Sequence, residues 1–402
     1  MSERRARDRL RVSGPLAEFA DGYRVDLIER GYSLGSAQTH LRLLADVSVW
    51  MERERLEPAS LTAGVLEWYC VSRRGAGHST YLSPRSLGRL LGYLDGLGVL
   101  PVEETVLSPV ERLLEEFRRY LLVERGMAEC TVELYARPAR VFLAERSEPL
   151  EDDLARLSGA EVIAFVLRES RWRSRSSVEV MVCALRVLLR FLHVQGLICE
   201  PLVEAVPSVA RRREQLPRGL AAGQVRLLLE SCDRGTRTGR RDYAIVLLLA
   251  RLGLRCGEVA ALRLEDVDWR MGELVVSGKG SRIDRLPLPA DVGEALAEYL
   301  HDGRQRGFGR TLFLKACAPV GGLSRDAVSD VVVRACQRAG IPPVRAHRLR
   351  HTLASELLRC GAGLAEIAQV LRHHDLGTTA IYAKIDRHAL AGLALPWPGS
   401  ER

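Results

Sequence analysis

Arg255 follows a bend-prone stretch, Leu252-Gly253-Leu254-Arg255-Cys256-Gly257-Glu258, in which Glu258 stands one helical turn further on and can orient the guanidinium. His347 and Arg350 lie three residues apart in His347-Arg348-Leu349-Arg350-His351-Thr352, so on a helix they share a face. A forked arginine donor beside an imidazole suits a phosphate. Pro342-Pro343 just upstream puts this pair near the start of the helix, where backbone N–H groups also favour anions. His373 and His374 close an apolar stretch, and Tyr382 follows His373 by nine residues. Lys279 sits in a glycine-flanked turn, Ser277-Gly278-Lys279-Gly280-Ser281-Arg282. Lysine can give up its proton in a site and arginine effectively cannot. That difference matters here because only Lys279, Lys315 and Lys384 are lysines among 59 basic residues. The arginine and histidine donors together suit a bound phosphate.

Singly, each residue has an ordinary explanation. Arg255 and Glu258 could be a helix-end ion pair, His347 and Arg350 surface decoration, and Tyr382 a core or interface side chain. Two rival chemistries fit poorly. A histidine metal site would want an HExxH pair or a cysteine partner, and neither is present. Gly272 to Lys279 superficially matches a phosphate-binding loop. Five residues separate its glycines, however, Gly280 stands where Ser or Thr is required, and the intervening residues read as a strand.

The elements that must hold these residues show as periodicity. Residues 222–231, 241–252, 291–302, 324–339, 347–360, 364–372 and 378–383 have helical patterns, while 273–276 and 284–288 read as a hairpin joined by the Lys279 turn. The N-terminal half is helical throughout and carries an internal repeat. Glu29-Arg30-Gly31 matches Glu124-Arg125-Gly126, and Leu90-Leu91, Tyr93-Leu94 and Gly98 match Leu188-Leu189, Phe191-Leu192 and Gly196. The expected architecture is mainly α with a small β-sheet in the C-terminal catalytic domain and an all-α N-terminal half. Its parts are a helical domain at 1–107, a second helical copy at 108–205, a linker at 206–216 and the catalytic domain at 217–402. Arg211, Arg212 and Arg213 in the linker, with Arg282 at the hairpin, are candidate phosphate contacts.

Charge narrows the partner. Residues 1–107 carry 14 basic and 14 acidic groups, 108–205 carry 14 and 16, and 206–402 carry 31 and 21, so the excess of +10 lies wholly in the last segment. A basic domain attached to neutral ones points to nucleic acid. Apolar residues at 47% argue for folded cores. No run approaches the roughly 20 apolar residues of a membrane span, and the N-terminus lacks a secretory pattern, so a cytoplasmic protein is expected. Nine scattered cysteines without a CxxC pair fit neither a disulfide framework nor a zinc site.

The order Arg255, Lys279, His347-x-x-Arg350, His373 and Tyr382, with its spacing, resembles the tyrosine recombinase (phage integrase) family over residues 216–390. The resemblance implies that Arg255 and Arg350 clamp a scissile phosphate, and that His347 and His373 hydrogen-bond its oxygens. His347 would also accept the tyrosine proton, Lys279 would protonate the leaving 5′ oxygen, Glu258 would support Arg255, and Tyr382 would form a 3′-phosphotyrosine link. The nine-residue spacing selects His373 over His374. Arg372 stands where the family usually has Gly. By the same resemblance, 108–205 is a SAM-like core-binding domain, the partner is double-stranded DNA, and the apolar tail from Ala389 to Trp397 docks on a neighbouring protomer of a tetramer spanning two duplexes. Related recombinase paralogues are further candidate partners, no cofactor is required, and the setting is the nucleoid. Two alternatives remain: type IB topoisomerase-like relaxation of one duplex, and a non-catalytic DNA-binding paralogue.

Overall fold

The computed structural model describes residues 11–80, 83–101, 107–209, 219–278 and 282–372, apart from the side chain of Ala222. They fall into two compact units, one from 1–101 with 215–402 and one from 102–214.

Three large hydrophobic cores and one small one organise these residues. The first is built from α1 (Ala20–Glu29), α2 (Leu34–Glu54), α3 (Ala63–Gly75) and α4 (Gly88–Gly96). It centres on fully buried Leu16, Tyr23, Leu27, Leu44, Met51, Cys70 and Leu94. The second holds α5 (Pro109–Arg119), α6 (Glu129–Ala144), α7 (Leu150–Ala155), α8 (Gly159–Ser170) and α9 (Arg175–Val194). Phe117, Phe142, Phe165 and Phe191 fill it. Both sets use the same stops. Gly31 and Gly126 leave the first helical segment at φ +83° and +59°, and Gly98 and Gly196 close the last at +68° and +72°. Glycine is the residue that enters this left-handed region without a Cβ penalty. Thr62 caps α3 through the Val65 N–H, and Ser158 caps α8 through the Glu161 N–H, at corresponding places. Such caps contribute about 1 kcal/mol each.

The third core belongs to the C-terminal region. It contains α10 (Ala222–Glu230), α11 (Arg237–Arg251), α12 (Cys256–Ala261), α13 (Ala290–Glu298), α14 (Arg325–Arg338) and the start of α15 (His347–Arg359), while α16 (Leu364–Leu371) packs on α15 in a small separate cluster of Ala354, Ile367 and Leu371. Helix α11 is the centre: Ala244 to Leu249 are all buried, so that stretch is apolar around its whole circumference. Its neighbours α10, α12, α13, α14 and α15 pack against it. The sheet has the order β1 (Val267–Asp268), β2 (Glu273–Ser277), β3 (Ile283–Pro287), antiparallel throughout. Leu274 pairs with Leu286 and Val276 with Asp284. Leu274 and Val276 are fully buried, while their neighbours in β2 are not, which fixes the register by period-two alternation. A hydrogen bond from the Gly278 N–H to the Arg282 carbonyl, 2.7 Å, closes the hairpin below its tip. The architecture is the one expected from the sequence, mainly helical with a small sheet, and β1 is an addition to it. No described helix is long and apolar enough to cross a membrane.

Candidate active site

The site is built at the turn between α11 and α12. Gly253 adopts φ +57°, which reverses the chain after α11 and presents Arg255 as the N-cap of α12. A Cβ on Gly253 would approach Leu353 Cδ2 to 2.9 Å and Leu371 Cδ2 to 3.0 Å, so both backbone and packing call for glycine. The Glu258 carboxylate then folds back on the turn. It accepts the Arg255 backbone N–H at 2.8 Å and the Arg255 Nη1 donor at 2.6 Å. This is the carboxylate half of a capping box, extended by an ion pair. Glu258 is 5% exposed and the Arg255 side chain 38%, so the carboxylate is the buried anchor and the guanidinium reaches the open side. Burial alone would raise the Glu258 pKa. The Arg255 backbone N–H, the Arg372 charge and the Arg255 guanidinium outweigh it and hold the carboxyl below its ordinary value.

Arg255, Glu258 and His347 line one cleft of about 550 Å³ together with Leu254, Cys256, Gly257, Ser277, Gly278 and Arg325. Ser277 and Gly278 bring the hairpin to the cleft edge. His347 is the first residue of α15, three residues beyond the Pro342-Pro343-Val344 stretch, and meets the His351 ring edge-on with centroids 4.5 Å apart. Burial lowers the His347 pKa, and the Arg350 and Arg255 charges lower it further. His351 is pushed down to about 4 by burial first, then by His347, Arg348 and Arg350. At neutral pH His347 is therefore an uncharged imidazole with a lone pair available as an acceptor.

Arg350 lies deeper than its partner. It is 1% exposed and is the largest fully buried side chain, held by the carbonyls of Gly253 and Leu371. It thereby joins the α11–α12 turn to the end of α16. At that same end, Arg255 Nη2 donates to the Arg372 carbonyl at 3.4 Å. Arg372 itself is buried, and its Nη2 donates to Glu258 Oε2 at 2.8 Å.

Of the residues singled out in the sequence, Arg255, Glu258 and His347 thus share a cleft, with Arg350 packed against the same turn. Arg282 is exposed just past the hairpin tip. Lys279, His373, Tyr382, Arg211, Arg212 and Arg213 lie outside the described residues. Two residues were missed by the sequence reasoning as contributors to the cleft. Arg325, exposed at the start of α14 behind the Ser324 cap, stands on the rim, and its only local signal is the Ser-Arg-Asp helix start. Arg372 was noted for its place beside His373, yet nothing local indicates that it is buried against Glu258.

The comparisons with known proteins fit this geometry. The model of the phage integrase family matches residues 218–388, and that of the phage integrase N-terminal SAM-like domain matches 114–196. The chain is 37% identical over 393 residues to y4rA of Sinorhizobium fredii, a candidate integrase/recombinase, covering 96% of this chain and 95% of that one. It is 30% identical to the tyrosine recombinase XerD of Listeria monocytogenes, covering 68% of this chain and 94% of that one. The XerH site-specific recombinase, solved with its difH substrate in a post-cleavage complex, has the same fold, with a TM-score of 0.58 at 19% identity over 73% of this chain and 98% of that one. A lambda integrase dimer bound to a core site gives a TM-score of 0.54 at 18% identity over 67% of this chain and 94% of that one.

Proposed function

This chain belongs to the phage integrase family of tyrosine recombinases, whose reaction is site-specific recombination of DNA, and we propose that it cuts and rejoins duplex DNA through a covalent 3′-phosphotyrosine link at Tyr382. The observation that carries this reading is the convergence of Arg255, Glu258 and His347 on one cleft beside the hairpin and the end of α16.

In this scheme the Tyr382 oxygen attacks the phosphorus, its proton passes to His347, and the bond to the 5′ oxygen breaks as Lys279 protonates that oxygen. Arg255, Arg350 and His373 stabilise the charge gathered on the nonbridging oxygens, an effect strongest where the donors are held before the reaction begins. The double anchoring of Arg255 by Glu258 supports such preorganisation. The lowered pKa of His347 supports its acceptor role, because a tyrosine near pKa 10 needs a base that is uncharged at neutral pH. Rejoining is the reverse step: a 5′ hydroxyl attacks the phosphotyrosine and releases Tyr382. The covalent link conserves the energy of the broken bond, so neither ATP nor a metal is a reactant.

Exchange between two duplexes cuts four strands. One nucleophile per protomer then calls for a tetramer, with Arg211, Arg212, Arg213 and Arg282 as further phosphate contacts. The direct test incubates purified protein with nicked duplexes covering the DNA that flanks its gene. A covalent protein–DNA adduct is expected, and it is lost in Tyr382→Phe. An adduct that persists in this variant moves the nucleophile elsewhere, and no adduct with any wild-type preparation removes the reading.

A further inference from the structure

Arg372 has a backbone that argues against its presence. It closes α16 at φ +54° and ψ +48°, and with Arg55 it is one of two non-glycine residues at positive φ among those described. A side chain there is disfavoured relative to glycine. Arg55 is exposed, whereas the Arg372 side chain is 5% exposed. A buried guanidinium is tolerated only with partners; the Arg372 Nη1 donates to the Val370 carbonyl at 3.4 Å, and two carboxylates stand nearby. Its Nη2 lies 2.8 Å from Glu258 Oε2, and its Nε lies 3.8 Å from Asp284 Oδ2 on β3. Glu258 Oε2 also accepts the Arg255 backbone N–H, and Oε1 takes the Arg255 side chain. One carboxylate therefore serves two arginines, and one arginine joins α16, α12 and the hairpin.

We propose that Arg372 is a positioning residue for strand cleavage, fixing Arg255 through their shared carboxylate, Glu258, and tying β3 of the hairpin to the same point through Asp284. This rests on the recombinase reading above. Two consequences follow physically. With Nη2 on Oε2, Glu258 cannot swing, so the Arg255 guanidinium is held in one place before DNA arrives. With two cations on one anion, Glu258 neutralises Arg255 less completely, and more of its positive field remains for the phosphate. The charged groups facing Glu258 are Arg255 from its own helix and Arg372 from α16. His347 of α15 and Arg325 of α14 share the same cleft, and Asp284 of β3 stands behind Arg372.

Arg372→Gly is the informative variant, since glycine adopts this backbone without strain and folding is retained. Single-turnover cleavage of a nicked duplex is expected to slow about 10- to 100-fold, as for displaced catalytic groups generally, with the DNA dissociation constant unchanged. Arg372→Lys, which can still pair with Glu258, recovers part of the rate. In a Glu258→Gln background, Arg372→Gly is expected to change the rate less than about twofold, the signature of two residues acting through one contact. An unchanged rate in Arg372→Gly, no recovery in Arg372→Lys, or the same proportional loss with and without Glu258 would overturn the assignment. A readout free of DNA separates this from a failure of the recombinase reading. Urea unfolding of the two single variants and the double variant should reveal Arg372–Glu258 coupling at pH 7, diminished once Glu258 is protonated. Absence of coupling at pH 7 also overturns the proposal, whether or not wild type forms an adduct.

Discussion

At the scale of single residues, the site depends on keeping one group charged and others neutral within a few ångströms. Glu258 holds a depressed pKa between two guanidiniums, while His347 and His351 are pushed below the ordinary histidine value by burial and neighbouring cations. The consequence for stability has a definite sign. Below the unfolded value near 6.5 the unfolded chain protonates these rings, and the folded chain resists until its own lower value is reached. The folded state therefore binds fewer protons in that window and loses stability as pH falls from about 6.5 toward about 4 for His351. Glu258 acts separately and lower down: its contribution is present above the ordinary carboxylate value and is lost as pH falls through its depressed one. The thermal midpoint of the full chain should therefore drop between pH 6.5 and 4.5, and His351→Gln should flatten that drop. A midpoint equally pH-dependent in the variant would show that His351 is not the titrating group. His351 also sits against His347, so the same variant removes the ring packed edge-on to His347.

At the scale of elements, the decisive piece is the turn at Gly253. Its carbonyl holds Arg350, its left-handed backbone aims Arg255, and its missing Cβ leaves room for Leu353 and Leu371. Gly253→Ala should therefore lower unfolding stability by about 1–3 kcal/mol, combining a strained φ with overpacking. It should also slow adduct formation by displacing both arginines. Urea unfolding measures the first effect, and a variant as stable and as active as wild type would contradict it. Elements of this size were legible to different degrees. The hairpin was expected at 273–276 and 284–288 and spans 273–277 and 283–287, because a glycine-rich turn between apolar runs is a strong local signal. Helices α14, α15 and α16 begin or end within a residue or so of expectation for the same reason. Strand β1 is two residues long and helix α12 six, too short for either to show a period. The Arg255–Glu258 pair was visible as an i, i+3 spacing. The Arg372–Glu258 pair, 114 positions apart, leaves no trace in local pattern, and neither does the depth of Arg350 beneath His347. Spacing along one helix says which residues share a face, while depth is set by what packs on that face.

At the scale of the whole molecule, charge is partitioned rather than spread. Segments 1–107 and 108–205 are 0 and −2 by formal charge, and 206–402 is +10. The two N-terminal helical sets share their glycine stops and caps, and neither has a charge excess to hold DNA by itself. Affinity for a duplex then has to come mainly from the arginine-rich C-terminal segment, through phosphates. Arginines that neutralise phosphates release condensed counterions, so the binding constant falls as a power of salt concentration set by the number of contacts. With about six or more such contacts, affinity of the full chain for duplex DNA should fall on the order of 10³-fold between 50 and 200 mM salt. The slope should be similar for specific and unrelated sequences, because phosphate contacts position a protein without reading bases. Replacing exposed Arg325 at the cleft rim by Gln should reduce the slope by about one contact and weaken both kinds of DNA alike. A flat salt response would mean that the +10 segment does not face the backbone. A loss confined to the specific site would turn Arg325 from a phosphate contact into a base reader.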